Sequence, residues 1–164
     1  SLDEGGLEVV NKVLRVRRLN KKILLCGNGG SAAVVSHVQN DLAKAAKTKA
    51  MVFNETPLLT ALANDISYDA VFEQPFEMWC DEGDLVIAVS SSGKSESILK
   101  PVRKANENKT EIITFSGFSE NNPLRSMGDV NFYIDSDSYG LVETSHAALL
   151  HYVTDCASVV ASQE

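Results

Sequence analysis

The sequence predicts an α/β protein, a three-layer αβα sandwich built on a five-stranded parallel sheet. Three observations predict it. Five short apolar runs, "KILLCG" (22–27), "AMVFN" (50–54), "DLVIAVS" (84–90), "EIITFSG" (111–117) and "VNFYI" (130–134), punctuate the chain. Their nearly unbroken apolar character is what strands need when helices cover both faces of a parallel sheet. Between the runs lie helical patterns at 30–47, 57–63, 67–79, 95–107 and 139–161, with an amphipathic opening helix before Lys21. Alternation of this kind implies right-handed crossovers. In such a sheet ligands bind at the carboxyl ends of the strands, where loops open into helix N-termini.

The bounds are those of one soluble domain over residues 1–164. The chain has 164 residues, is 44% hydrophobic and 23% charged, and shows no repeat, low-complexity tract or linker. A formal net charge of −7 repels a phosphate backbone, so no nucleic-acid partner is expected. An anionic ligand must therefore be held locally, by amides and hydroxyls. No stretch approaches bilayer length, and "SLDEGGLEVV" has neither the basic start nor the apolar centre of a signal peptide. The expectation is a cytoplasmic protein that does not engage a membrane. Cys26, Cys80 and Cys156 are odd in number and scattered, which suits reduced thiols.

Two strand ends carry the chemistry. After the first strand comes "GNGGSAA" (27–33), and after the third "SSSGKSES" (90–97). Glycines let backbone approach a ligand closely, serine hydroxyls add donors, and a helix N-terminus offers free amides with partial positive charge. A phosphate is the natural guest. Taken singly, each loop also reads as a tight turn or a helix cap. Neither is a dinucleotide fingerprint or a P-loop: Ala32 stands where G-x-G-x-x-G needs its third glycine, and the first glycine of G-x-x-x-x-G-K-[ST] is missing. Together the two loops favour a phosphorylated small molecule.

There are three histidines. His37 and Asp41 stand at i and i+4 on the helix after the first loop, a spacing shared by metal-ligand pairs and ordinary surface pairs. On the last helix, at about 100° per residue, Val142, Leu149, Val153 and Cys156 form an apolar stripe that includes His146, which reads as a core histidine. Glu143 and His151 fall on another side with the small Ala147 between them. That face either leaves room for a ligand or is a solvated polar surface with Thr144 and Asp155.

"CGNGGSAA" followed by His37, then "LTALAND" (59–65), "VSSSGKS" (89–95) and a late helix bearing His151, resembles the sugar isomerase (SIS) domain family, within it the phosphoheptose isomerase branch. The likeness runs from about Lys21 to the end. It implies a flavodoxin-like or Rossmann-like five-stranded sheet and an aldose–ketose isomerase that interconverts sedoheptulose 7-phosphate and a heptose 7-phosphate for a cell-surface polysaccharide such as lipopolysaccharide or capsule. It implies a phosphate cradle from Ser90, Ser91, Ser92 and Ser95, with Asn28, Gly29 and Ser31 beside the substrate and Asp65 contacting it. It also implies a homotetramer with sites between subunits, and one zinc ion per chain on His37, Asp41, Glu143 and His151, with Asp41 as base and His151 as acid.

The departures concern the reacting end of the sugar. The branch has glutamate where this chain has Asp41, glutamine where it has Glu143, and a Thr-Ala-Arg segment where it reads "SDSYGLVE". Two nitrogens and two carboxylates still suit zinc. An isomerase is the first reading, supported by both histidines and both carboxylates. A non-catalytic module that binds a phosphosugar or a protein partner is the second.

Overall fold

A computed structural model describes residues 2–163. Helix α1 (Leu2–Arg18) precedes β1 (Lys22–Gly27), α2 (Gly30–Lys44), β2 (Lys49–Val52) and α3 (Thr56–Asp65). Helix α4 (Glu73–Trp79), β3 (Leu85–Ser90), α5 (Glu96–Glu107), β4 (Glu111–Gly117), β5 (Val130–Ile134) and α6 (Tyr139–Ala161) follow. The five strands form one parallel sheet in the order β2-β1-β3-β4-β5. The chain therefore steps outward from β1 to β2, returns across β1 to β3, and continues to the other edge.

Alternation along the strands divides the core into two layers. Ile23 and Leu25 of β1 pack with Ile87, Ile113 and Phe115 against α1, α2 and α6. Leu24 and Cys26 point the other way and pack with Val86, Ala88 and Ile112 against α4 and α5. The inner strands β1, β3 and β4 thus feed two apolar layers, which is why their runs in sequence are nearly continuous, whereas the edge strand β5 gives Val130 and Phe132 to the first layer alone. At the amino ends of β1 and β3, Asp84 is fully buried. It accepts from the Lys22 backbone amide at 3.0 Å and pairs with Lys22 Nζ at 2.6 Å, so its charge is met by both a donor and a cation.

The predicted strands at 22–27, 111–117 and 130–134 coincide with β1, β4 and β5, and β2 and β3 are each within two residues of prediction. The predicted helix over 67–79 is broken. A 3-10 turn (Tyr68–Ala70) comes first, and α4 begins at Glu73. Pro75 accounts for the break: it lacks an N–H and its ring would strike the carbonyl four residues back, so it is accommodated only in the first turn of a helix. The apolar stripe of α6 is also rotated from the predicted one. Val142, His146, Leu150, Val153 and Ala157 are buried, while Leu149 and Cys156 are half-buried at its edge. Helix α6 packs on α1 and α2 as well as the sheet, so the covered arc is wider and displaced from that of a helix lying on one surface.

His146 is fully buried, as the stripe predicts. Its Nε2 donates to the Ser116 carbonyl at 3.1 Å, and its ring meets Phe115 edge-on. Burial holds the imidazole below its ordinary pKa and keeps it neutral, against the opposing pull of that hydrogen bond. All three cysteines are free thiols. Burial pushes both the Cys26 and Cys80 thiols up.

Candidate active site

The sheet order reverses at β1 and β3, and it is their carboxyl ends that carry the two glycine and serine loops. The crevice at such a switch point is where open α/β sheets bind ligands. Here it is a pocket of about 270 Å³ lined by Asn28, Gly29, Gly30, Ser31, four serines of the second loop and two residues of α6.

Each wall is fixed locally. Gly29 caps α2 with a φ of 54°, a left-handed conformation that turns the chain from β1 into the helix. Ser31, in the first turn of α2, is buried. Asn28 donates through Nδ2 to Ser97 Oγ at 2.8 Å, joining the first loop to the start of α5. In the second loop the Ser90 hydroxyl accepts from the Gly93 amide at 3.2 Å, and the Ser92 hydroxyl accepts from Lys94 N–H at 3.3 Å. Ser95 caps α5 by its position, with its side chain making no capping bond. Ser91 Oγ is buried without a partner, although 5% of the residue is exposed. A buried hydroxyl in a pocket wall with nothing to bond is a donor waiting for an acceptor.

Among the described residues, no lysine, arginine or histidine lines this pocket. The N-terminal turns of α2, α5 and α6 converge on it instead, supplying backbone amides and the positive ends of three helices. Local dipoles, not net charge, make the place attractive to an anion.

The second loop is braced from behind by Asn122, which sequence reasoning missed. It is buried, its Nδ2 donates to Ser116 Oγ and to the carbonyls of Gly117 and Ser119, and its Oδ1 accepts from Arg125 N–H. Gly93 lies against it with a φ of 62°, and a β-carbon there would sit 2.0 Å from Asn122 Oδ1. Nothing in "SENNPL" marks one asparagine as a brace. Tyr139 of the pocket wall was missed as well, and only its place one residue after the Ser138 cap could have suggested it.

A second group lies further along α2 and α6. His37 Nε2 is 3.2 Å from Asp41 Oδ2, His151 Nδ1 is 3.7 Å from the same oxygen, and the two imidazole centroids are 5.0 Å apart. One ligand atom from each of the three lies within 4.8 Å of the others. This group could hold a cation, with two nitrogens and one oxygen as donors. It is open to solvent, with the histidine side chains 57% and 48% exposed. Beside it is an apolar hollow of about 240 Å³ floored by Ala33, Val34 and Ala147.

Glu143 does not join this group, contrary to the four-ligand set expected from sequence. Its carboxylate rests over Gly30 in the first pocket, where a β-carbon on residue 30 would lie 2.3 Å from Oε2. The reason is axial: eight residues separate it from His151, about 12 Å along a helix, so a shared face does not bring the two heads together. Asp65 ends α3 on an exposed surface, where it accepts from Asn64 Nδ2 at 2.9 Å, and it is not among the pocket-lining residues.

Comparison with known proteins agrees with this geometry. Residues 7–117 match the SIS domain family. A phosphoheptose isomerase of Campylobacter concisus is 31% identical over 162 residues, covering 94% of this chain and 84% of that one. Another, of Clostridium acetobutylicum, is 34% identical over 154 residues, covering 90% and 78%. Among solved structures, a phosphoheptose isomerase of Neisseria gonorrhoeae superposes with a TM-score of 0.89 at 28% identity, covering 95% of this chain and 87% of that one. With the glycine and serine loops at the switch point and most of its length matched, this chain belongs to the SIS domain family.

Proposed function

We propose that the protein is an aldose–ketose isomerase acting on a phosphorylated sugar, with sedoheptulose 7-phosphate and the corresponding heptose 7-phosphate as the substrate pair. One observation carries the reading: α2 and α6 each start at the anion pocket and each lead to the His37–Asp41–His151 group. A phosphosugar anchored at one end of these helices has its carbonyl end delivered toward the other. The relatives' names, phosphoheptose isomerase, supply the substrate class.

In this reading Ser90, Ser91, Ser92 and Ser95 cradle the phosphate with the amides of the α2 and α5 N-termini, and Ser91 Oγ supplies the unspent donor. Asn28, Gly29 and Ser31 line the sugar's path, and the sugar contact that the family resemblance implies for Asp65 lies outside this pocket. Glu143, whose carboxylate rests over Gly30 in the anion pocket, accepts from sugar hydroxyls. Exchange of carbonyl position needs a base to carry a proton between neighbouring carbons and an acid at the carbonyl oxygen. Asp41 is that base, and His151 is the acid. Two imidazoles and a carboxylate, with room beyond them, suit a three-ligand zinc site better than magnesium or calcium. When bound, zinc supplies positive charge for the oxygen that becomes anionic. His37, Asp41 and His151 would hold it.

The same reading includes a homotetramer with sites completed between subunits and a cytoplasmic place of action. Leu7 of α1 and Val159 of α6 are exposed apolar side chains on two helices that pack together. No described helix is long and apolar enough to cross a membrane.

The test is incubation with sedoheptulose 7-phosphate in deuterated water, with elemental analysis of protein purified without chelator. Deuterium should enter at the carbon beside the carbonyl, about one zinc should accompany each chain, and His151→Ala should lose the metal. Protein that binds the phosphosugar but exchanges no proton would establish the binding-module reading instead.

A further inference from the structure

We infer that Tyr68 is a positioning residue for the phosphosugar site, acting by locking the side-chain amide of Asn28; this rests on the isomerase reading above. Tyr68 opens the 3-10 turn Tyr68–Ala70, and its hydroxyl donates to Asn28 Oδ1 at 2.9 Å, across forty residues of sequence. At the other end of the same amide, Nδ2 donates to Ser97 Oγ at 2.8 Å. Asn28 lines the anion pocket, while neither Tyr68 nor Ser97 does.

The arrangement makes sense as control of one rotatable bond. An asparagine side chain offers two N–H donors and one oxygen, and its terminal torsion is broad when nothing holds it. Ser97 takes one N–H and Tyr68 occupies the oxygen. The second N–H is left for a ligand, and the amide cannot turn without breaking bonds at both ends. With Ser97 alone it could swing about that single attachment.

The anchor points are firm. Ser97 is buried in the first turn of α5. The residues following Tyr68, namely Ala70, Val71 and Phe72, are buried, and Val71 and Phe72 pack with Ile98 and Val102 of α5. Both partners of Asn28 are therefore carried by the α5 side of the sheet, and through them the first loop is held in register with the second. Tyr68 itself is 50% exposed, so its hydroxyl is not needed to complete a core. A phenylalanine would serve for packing alone.

The experiment is a double-mutant cycle with Tyr68→Phe and Asn28→Ala, read on two quantities: kcat/KM for sedoheptulose 7-phosphate and its Kd by calorimetry. Tyr68→Phe should keep the parent melting temperature and lose about fivefold in kcat/KM, the worth of one hydrogen bond. In the Asn28→Ala background the same change should cost nothing further, because the group it positions is gone. Losses that multiply, an unchanged Tyr68→Phe, or a loss that appears only with a lowered melting temperature would each overturn the inference. If no variant or parent turns the sugar over but the Kd values are non-additive, the isomerase reading fails and the relay stands.

Discussion

The anion pocket and the His37–Asp41–His151 group lie on the same two helices and are built in opposite ways. The pocket is made by backbone: a sheet reversal, three helix starts, glycines at Gly30 and Gly93 where a side chain would collide, and two serine hydroxyls, of Ser90 and Ser92, that hold the second loop in shape. The histidine group is made by side chains alone, on helix surfaces, half in solvent. On the proposed reading, binding is written into the fold, while chemistry falls to three half-exposed side chains on helix surfaces. One consequence is that the second can be removed without the first.

The largest effect should come from using that separation. Asp41→Asn keeps shape and hydrogen-bonding capacity but removes the carboxylate, and should lower proton exchange by about 10²- to 10⁴-fold. The thermal stabilisation produced by sedoheptulose 7-phosphate should persist. Loss of that stabilisation would break the comparison, because it would make Asp41 part of the binding apparatus.

The converse substitution is Gly93→Ala. It combines a left-handed backbone with a β-carbon 2.0 Å from Asn122 Oδ1, so strain of about 1–3 kcal/mol is expected. Calorimetry should show phosphosugar affinity weakened about tenfold or more, with bound zinc unchanged. A fall in zinc content would mean that the two regions are not independent.

A smaller effect concerns His146, which supports the Ser116 carbonyl beneath the second loop. Burial lowers its pKa from the ordinary 6.5. The folded state then binds fewer protons than the unfolded chain once pH falls below about 6.5, so this group's contribution to stability is complete above that value and is lost as pH falls through it. The slope approaches about 1.4 kcal/mol per pH unit. Urea unfolding at pH 7.5 and 5.5 should reveal it, and His146→Gln, which retains a donor for Ser116, should flatten the difference. An unaltered pH profile in that variant would place the acid sensitivity elsewhere.

How much of this was legible in the sequence follows from the same contrast. Strands that feed two apolar layers declare themselves as continuous runs, so β1 and β4 were readable to the residue; β5 was equally readable from its short β-branched and aromatic run, although only Val130 and Phe132 enter the core. The pocket's two loops were readable too, because glycine and serine at neighbouring strand ends mark backbone drawn close around a crevice. What depended on distance along an axis or across the fold was not. Glu143 and His151 share a helix face yet stand two turns apart, and angular position says nothing of that. Asn122, Tyr68 and Ser97 act through contacts 29, 40 and 69 residues distant in sequence, with Gly93 and Asn28 as their respective partners. Composition leaves no trace of such pairings. The break at Pro75 was visible in principle, since a proline at the ninth position of the predicted helix signals a new start.

The free thiols turn the sheet into its own reporter. A thiol must ionise to react with an alkylating reagent, and burial both raises the barrier to ionisation of Cys26 and shields it at the end of β1, one residue before the first loop begins. Modification there requires molecules in which the layer of α4 and α5 has momentarily lifted from the sheet. Half-buried Cys156 on α6 lacks that protection. The labelling rate at Cys26, set against that at Cys156, therefore measures how often the α4/α5 layer opens, a local opening free energy obtained without denaturant.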